Sequence, residues 1–181
     1  AGIKTLDPAN SVAVLSSETA TRYTGLHSSL NSQLIGLAYK EFFRSGAGFD
    51  CYLFEDIEKI PPYHSWIFLN ALRLNESQRG TIENLKKDGN LLIFTYGVDL
   101  IGDKEVNAEA MSKLLGFPVT MKRGKNPLKA KATINGVAAE YQFGGAVDPV
   151  FVAQESDGLE VLGRFTDGTP ALVRKKTPEY T

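Results

Sequence analysis

The chain has 181 residues, 43% of them apolar, enough for one sizeable core. Twenty basic against twenty-one acidic side chains leave a formal net charge of -1, which gives no global pull towards nucleic acid or anionic lipid. One cysteine and two histidines exclude a disulfide framework and argue against a zinc site, so no metal and no cofactor are expected, and no stretch has the length of a membrane span.

The segment around Asp7-Pro8 and Asn10 is a turn-prone lead-in to Val12-Ala13-Val14-Leu15, which reads as a first buried strand. Residues 16–29 are polar and read as a long loop. Leu30, Leu34, Leu37, Ala38, Phe42 and Phe43 then recur at helical spacing, with Ser28 or Ser29 as cap and Gly46 as stop. A second strand is expected over 49–54, followed by a connection that ends at Pro61-Pro62.

The apolar run Trp66-Ile67-Phe68-Leu69, a helix over 75–88 and the run Leu91-Leu92-Ile93-Phe94 read together as one βαβ unit. Asn75 with Gln78 supplies an N-cap and its capping-box partner, and Gly89 supplies the stop. Short, nearly continuous apolar runs are expected of parallel strands covered on both faces, so this half predicts a doubly wound, mostly parallel α/β sheet. A third helix is expected over 105–115, stopped by Gly116. It offers Met111, Leu114 and Leu115 on one side, enough to cover the sheet and little else.

Beyond that point only strands are expected. Residues 130–134 and 137–141 flank Asn135-Gly136, and 160–165 and 171–174 flank Asp167-Gly168, two hairpin signals. They predict an antiparallel β extension of the parallel sheet's edge on the C-terminal side. No repeat or linker interrupts residues 1–181, so a single domain is expected.

Several of these stretches resemble a known family: Phe49-Asp50-Cys51-Tyr52-Leu53-Phe54-Glu55-Asp56, Tyr63 through Ala71, Leu74-Asn75-Glu76-Ser77-Gln78-Arg79 and Lys86-Lys87-Asp88-Gly89. Together with Leu162-Gly163-Arg164-Phe165 and Asp167-Gly168-Thr169-Pro170-Ala171 they resemble the middle, trimerisation-type domain of family-42 β-galactosidases. The likeness runs over residues 10–116 and the last hairpin. It implies a flavodoxin-like fold of the class I glutamine amidotransferase kind. It also implies that glycosidase chemistry belongs to two glutamates of a separate barrel domain, and that one more strand and helix would follow.

In an open α/β sheet, chemistry is sought beyond the carboxyl ends of the strands. The amidotransferase resemblance would place a nucleophile on the turn Phe94-Thr95-Tyr96-Gly97, which holds neither cysteine nor serine. Cys51 falls mid-strand and reads as a small buried residue. His64 stands at the amino end of a strand, and His27 lies in the loop with no nucleophile to serve. Glu18, Glu55, Asp56 and Asp99 all follow strands at the right edge, as loop carboxylates commonly do. Ser16-Ser17-Glu18-Thr19 has hydroxyls but no glycine and makes a poor phosphate loop. Lys122, Arg123, Lys125, Lys129 and Lys131 lack interleaved aromatics and suit an exposed edge better than a nucleic acid. The sequon Asn75-Glu76-Ser77 is accounted for by the helix cap.

No catalytic residue is assigned, and the residues placed to meet a small ligand are Glu18, Arg22, Asn70, Tyr96 and Asp99. The leading expectation is a non-catalytic assembly domain of a β-galactosidase-like glycoside hydrolase, contacting other domains or subunits, with a homotrimer as one form. The alternatives are a small-ligand or carbohydrate-binding module that uses the crevice, and an amidotransferase-like hydrolase. The hairpin residues Ile134, Val137 and Tyr141 are expected to face a partner. A soluble chain, either cytoplasmic or secreted, is expected, with neither nucleic acid nor membrane as partner.

Overall fold

The computed structural model describes residues 11–25, 28–103, 105–106, 108–124 and 126–181, and of residues 143–145 the backbone alone. The lead-in at Asp7-Pro8, His27 and Lys125 lie outside the described residues.

Four parallel strands form the first sheet, in the order β2-β1-β3-β4. They are β1 (Val12–Ser16), β2 (Asp50–Leu53), β3 (Ser65–Phe68) and β4 (Leu91–Phe94). Register fixes two faces. Ala13 and Leu15 stand beside Trp66 and Phe68, which stand beside Leu92 and Phe94. This face carries the main core, and Ile82 of α4 (Glu76–Leu85) packs into it with Leu72 and Leu74. Within it Phe68 stacks on Phe94 at 4.7 Å, and Phe54 meets Phe68 edge-on at 5.8 Å. Trp66 donates its indole N–H to the Tyr63 carbonyl, so the largest buried side chain leaves no polar group unpaired.

On the opposite face stand Cys51, Val14, Ile67 and Ile93 in one row across the sheet. A helical rod covers part of it: α2 (Ser29–Asn31), a π-helical segment (Ser32–Leu37) and α3 (Ala38–Ser45). The Tyr39 hydroxyl of α3 reaches the Ser16 hydroxyl at 3.4 Å, which places the rod over β1. Val14 beneath it is 0% exposed, whereas Leu91 and Ile93 on β4 are 36% and 37% exposed. Cover on both faces, expected of the apolar runs, is therefore complete at β1 and incomplete at β4. Cys51 is exposed, not buried, because β2 is the edge strand of the sheet.

The polar stretch expected to be a loop contains a helix, α1 (Glu18–Thr24). The Ser17 side chain caps it by accepting from the Ala20 N–H, and only Ala20 is buried, so no apolar period advertised it. The capping box of α4 forms as expected, with Gln78 accepting from the Asn75 N–H and Asn75 accepting from the Gln78 N–H. The third predicted helix is α5 (Glu109–Leu115), shorter at its start than expected, with Met111 and Leu114 buried.

Past α5 the strands do not extend the parallel sheet. A two-stranded ribbon pairs β5 (Val119–Lys122) with β8 (Val150–Ala153), and a separate antiparallel sheet has the order β10-β9-β6-β7. Its strands are β6 (Asn126–Ile134), β7 (Val137–Val147), β9 (Leu159–Phe165) and β10 (Pro170–Lys175). Both hairpins form where Asn135-Gly136 and Asp167-Gly168 place them, and Asn135 and Gly136 adopt φ of 50° and 79°. Strand β8 joins the halves. Phe151 enters the main core, while Val150 and Val152 pack with Val147, Leu30 and Leu128 in a second cluster. The free edge of β4 is met by the end of the chain: the Leu92 N–H donates to the Thr181 carbonyl at 2.9 Å, and Asn90 bridges Tyr180 in parallel.

Candidate functional site

The carboxyl ends of the strands carry a polar cleft of about 270 Å³. Its walls come from three segments: Ser17 and Thr19 from the start of α1, Glu55 from just after β2, and Arg73, Leu74, Asn75 and Gln78 from the β3–α4 connection and the first turn of α4. Strand order reverses between β1 and β3, so the two connections part there and open a crevice.

Glu55 is fixed on its wall. One carboxylate oxygen accepts from the Ser17 hydroxyl at 2.7 Å and from the Thr19 N–H at 3.0 Å. Burial pushes its carboxyl up, but those hydrogen bonds outweigh it and hold the group below its ordinary value of 4.5. Because the folded pKa is the lower one, the stability Glu55 contributes is present above the unfolded value and lost as pH falls through the folded one. Glu55→Gln is therefore expected to flatten the loss of stability below about pH 4.5, read as urea midpoints against pH. Across the cleft, the Arg73 guanidinium lies 5.0 Å from the Tyr23 ring centroid and donates to Asp103 at 2.6 Å.

The five residues named for a ligand are placed differently from one another. Asn70 is 0% exposed, and its side chain clamps the β1–α1 turn: the oxygen accepts from the Ser17 N–H at 2.6 Å, and the amide donates to the Ser17 carbonyl at 2.9 Å. Asp99 is buried and accepts two hydrogen bonds from Arg79, at 2.6 and 2.9 Å, and one from the Leu74 N–H. Hydrogen bonding to Asp99 raises the Arg79 pKa. Glu18 and Arg22 lie on the exposed side of α1. Among the carboxylates considered for acid–base work, Asp56 pairs with Lys59 on the surface. Among the described residues no group of three or more His, Cys, Asp or Glu is arranged to hold a metal, and no helix is long and apolar enough to cross a membrane.

Tyr96 occupies the turn where a nucleophile would stand. Its φ of 63° is the left-handed geometry of a strained strand-end turn. Its hydroxyl donates to the Pro149 carbonyl at 2.6 Å, and its ring meets Phe151 edge-on at 5.7 Å. Burial, with Asp148 adding to it, pushes the phenol up to about 12, so no phenolate forms near neutral pH. Among the described residues the next helix is α5, which begins only at Glu109. The turn serves to pack β8, through the Tyr96 hydroxyl and ring.

The fold has counterparts among solved structures. The chain superposes on a catalytic mutant of Gan42B, a GH42 β-galactosidase from G. stearothermophilus, with a TM-score of 0.64 and 15% identity, covering 91% of this chain and 25% of that one. It shares the fold of one part of that enzyme. The β-galactosidase of the psychrophilic Marinomonas ef1 gives a TM-score of 0.56 at 11% identity, over 97% of this chain and 26% of that one. A putative ThuA-like protein from Bacteroides uniformis gives 0.53 at 16% identity, over 91% and 72%. The chain thus spans about a quarter of the length of the β-galactosidases it matches. No family profile matches the sequence, and neither does any curated protein.

Sequence reasoning named Glu55 only as one carboxylate among four, and it missed Arg73 and the inward role of Asn75 and Gln78. The signal available was their position directly after β3, at the switch between strand orders. The capping box absorbed Asn75 and Gln78 into a purely helical explanation.

Proposed function

We propose that this chain is a non-catalytic assembly domain of a β-galactosidase-like glycoside hydrolase, joining other domains or subunits of its parent, with a homotrimer as one form. The observation that carries the reading is the half-open outer face of the parallel sheet. Leu91 and Ile93 on β4 remain 36% and 37% exposed, and the rod that lies over β1 has no buried residue from Ser32 to Ser45. A rod apolar on more than one side, with Phe43 72% exposed, suits a position between two neighbours. The strand order, with crossover helices on opposite faces, fits the flavodoxin-like, doubly wound sheet of the class I amidotransferase kind. The elbow filled by Tyr96 fits a scaffold without acyl-transfer chemistry.

The expected outcome is no turnover of chromogenic galactosides or of glutamine by the purified chain. Activity abolished by Tyr96→Phe or by Glu55→Gln, with the fold kept, would assign chemistry to this chain and end the reading.

A further inference from the structure

The cleft at the carboxyl ends of the strands lies apart from the outer face of β4, and its donors and acceptors are segregated. On one wall is the Glu55 carboxylate, oriented by Ser17 and Thr19. That arrangement disfavours an anion, because the Thr19 N–H and the Ser17 hydroxyl, which an anion would take, already serve a carboxylate.

On the other wall the capping box decides what is left. Asn75 spends its side-chain oxygen on the Gln78 N–H, and Gln78 spends its own on the Asn75 N–H. With each oxygen already engaged at the helix start, what both amides chiefly offer to the cleft is their N–H groups. Arg73 adds guanidinium donors, its plane steadied by Tyr23 and Asp103. A wall of three donor side chains disfavours a bare cation. Leu74, buried, supplies an apolar lining between the polar walls.

One chemistry uses a carboxylate acceptor and amide donors together: adjacent hydroxyl groups, each of which donates to one wall and accepts from the other. The cleft's 270 Å³ lies just below the ~300–1,000 Å³ typical of pockets for drug-sized ligands, which suits one ring and not a nucleotide. We propose that this cleft binds a neutral polyhydroxylated ring of monosaccharide chemistry, with Glu55 accepting from its hydroxyls and Asn75, Gln78 and Arg73 donating to them. The proposal is independent of self-association, since the cleft lies at the strand ends and the open apolar face lies on the flank of the sheet.

The test is titration of the full chain with D-galactose, D-glucose and D-mannose, followed by amide proton–nitrogen spectra, with inorganic phosphate as the competing probe. The expected result is saturable shifts at Thr19, Glu55 and Leu74 to Gln78 with at least one sugar, half-saturating on the order of millimolar. Glu55→Gln, which keeps the shape of the side chain, is expected to weaken that binding about tenfold while leaving spectral dispersion intact. Arg73→Ala serves the same purpose on the opposite wall should Glu55→Gln disturb α1. Absence of saturable shifts with all three sugars would overturn the proposal, as would shifts centred elsewhere, full affinity in a folded variant, or phosphate binding at the same amides.

Discussion

Asn70→Ala is expected to cost about 3 kcal/mol of folding stability, a large effect for a single polar side chain. Asn70 is completely buried and is the link between the end of β3 and the turn that starts α1. Its oxygen is the acceptor for the Ser17 N–H, whereas the Ser17 carbonyl also receives the Thr21 hydroxyl at 2.9 Å. Truncation therefore strands the amide more than the carbonyl, at about 1–3 kcal/mol, and adds a small cavity beside Ser17. For a domain of this size the melting temperature should fall by roughly 10 °C. Hydrogen exchange gives a sharper reading. Amides of α1 should lose protection before those of β3 and β4, because the clamp holds the turn and not the sheet. Equal loss across the sheet would assign Asn70 to general packing.

The second large effect concerns the outer face. Leu91 and Ile93 are about a third exposed, so Ile93→Lys gives up only part of a core residue's burial and should cost about 1–2 kcal/mol, a fall in melting temperature of a few degrees. At an interface the same lysine would be buried without a partner, and association should be lost altogether. A core residue behaves in the opposite way: Trp66, on the other face of the sheet, is 2% exposed and belongs to folding alone. The exposed hairpin is the rival surface. Val137 and Tyr141 are 68% and 51% exposed on β7, the outer strand of its sheet, so Val137→Lys separates the two candidates.

How much of this was legible follows from where each interaction lies along the chain. The runs Trp66 to Leu69 and Leu91 to Phe94, the cap Asn75 with Gln78 and the turn Asn135-Gly136 are local patterns, and each forms where the sequence places it. Helix α1 was hidden because its stability comes from caps, through Ser17 and Glu55, instead of an apolar stripe. The β5–β8 ribbon was hidden because its partners are some thirty residues apart and no short turn announces the pairing. The separate antiparallel sheet was misplaced for the same kind of reason. Hairpin signals fix which strands pair but not which sheet they join, and here β9 crosses to β6, with Gly163 against Ala132, instead of reaching β4. The cleft was legible only in part, since Glu55 gains meaning from Ser17 and Thr19 on the neighbouring connection.

Light scattering of the purified chain from micromolar to millimolar concentration tests the assembly reading most directly. The account predicts a mass that rises above 19.8 kDa with concentration, and an Ile93→Lys variant that stays at 19.8 kDa throughout while still unfolding cooperatively, a few degrees below the parent chain. A mass of 19.8 kDa for both proteins at every concentration would contradict it.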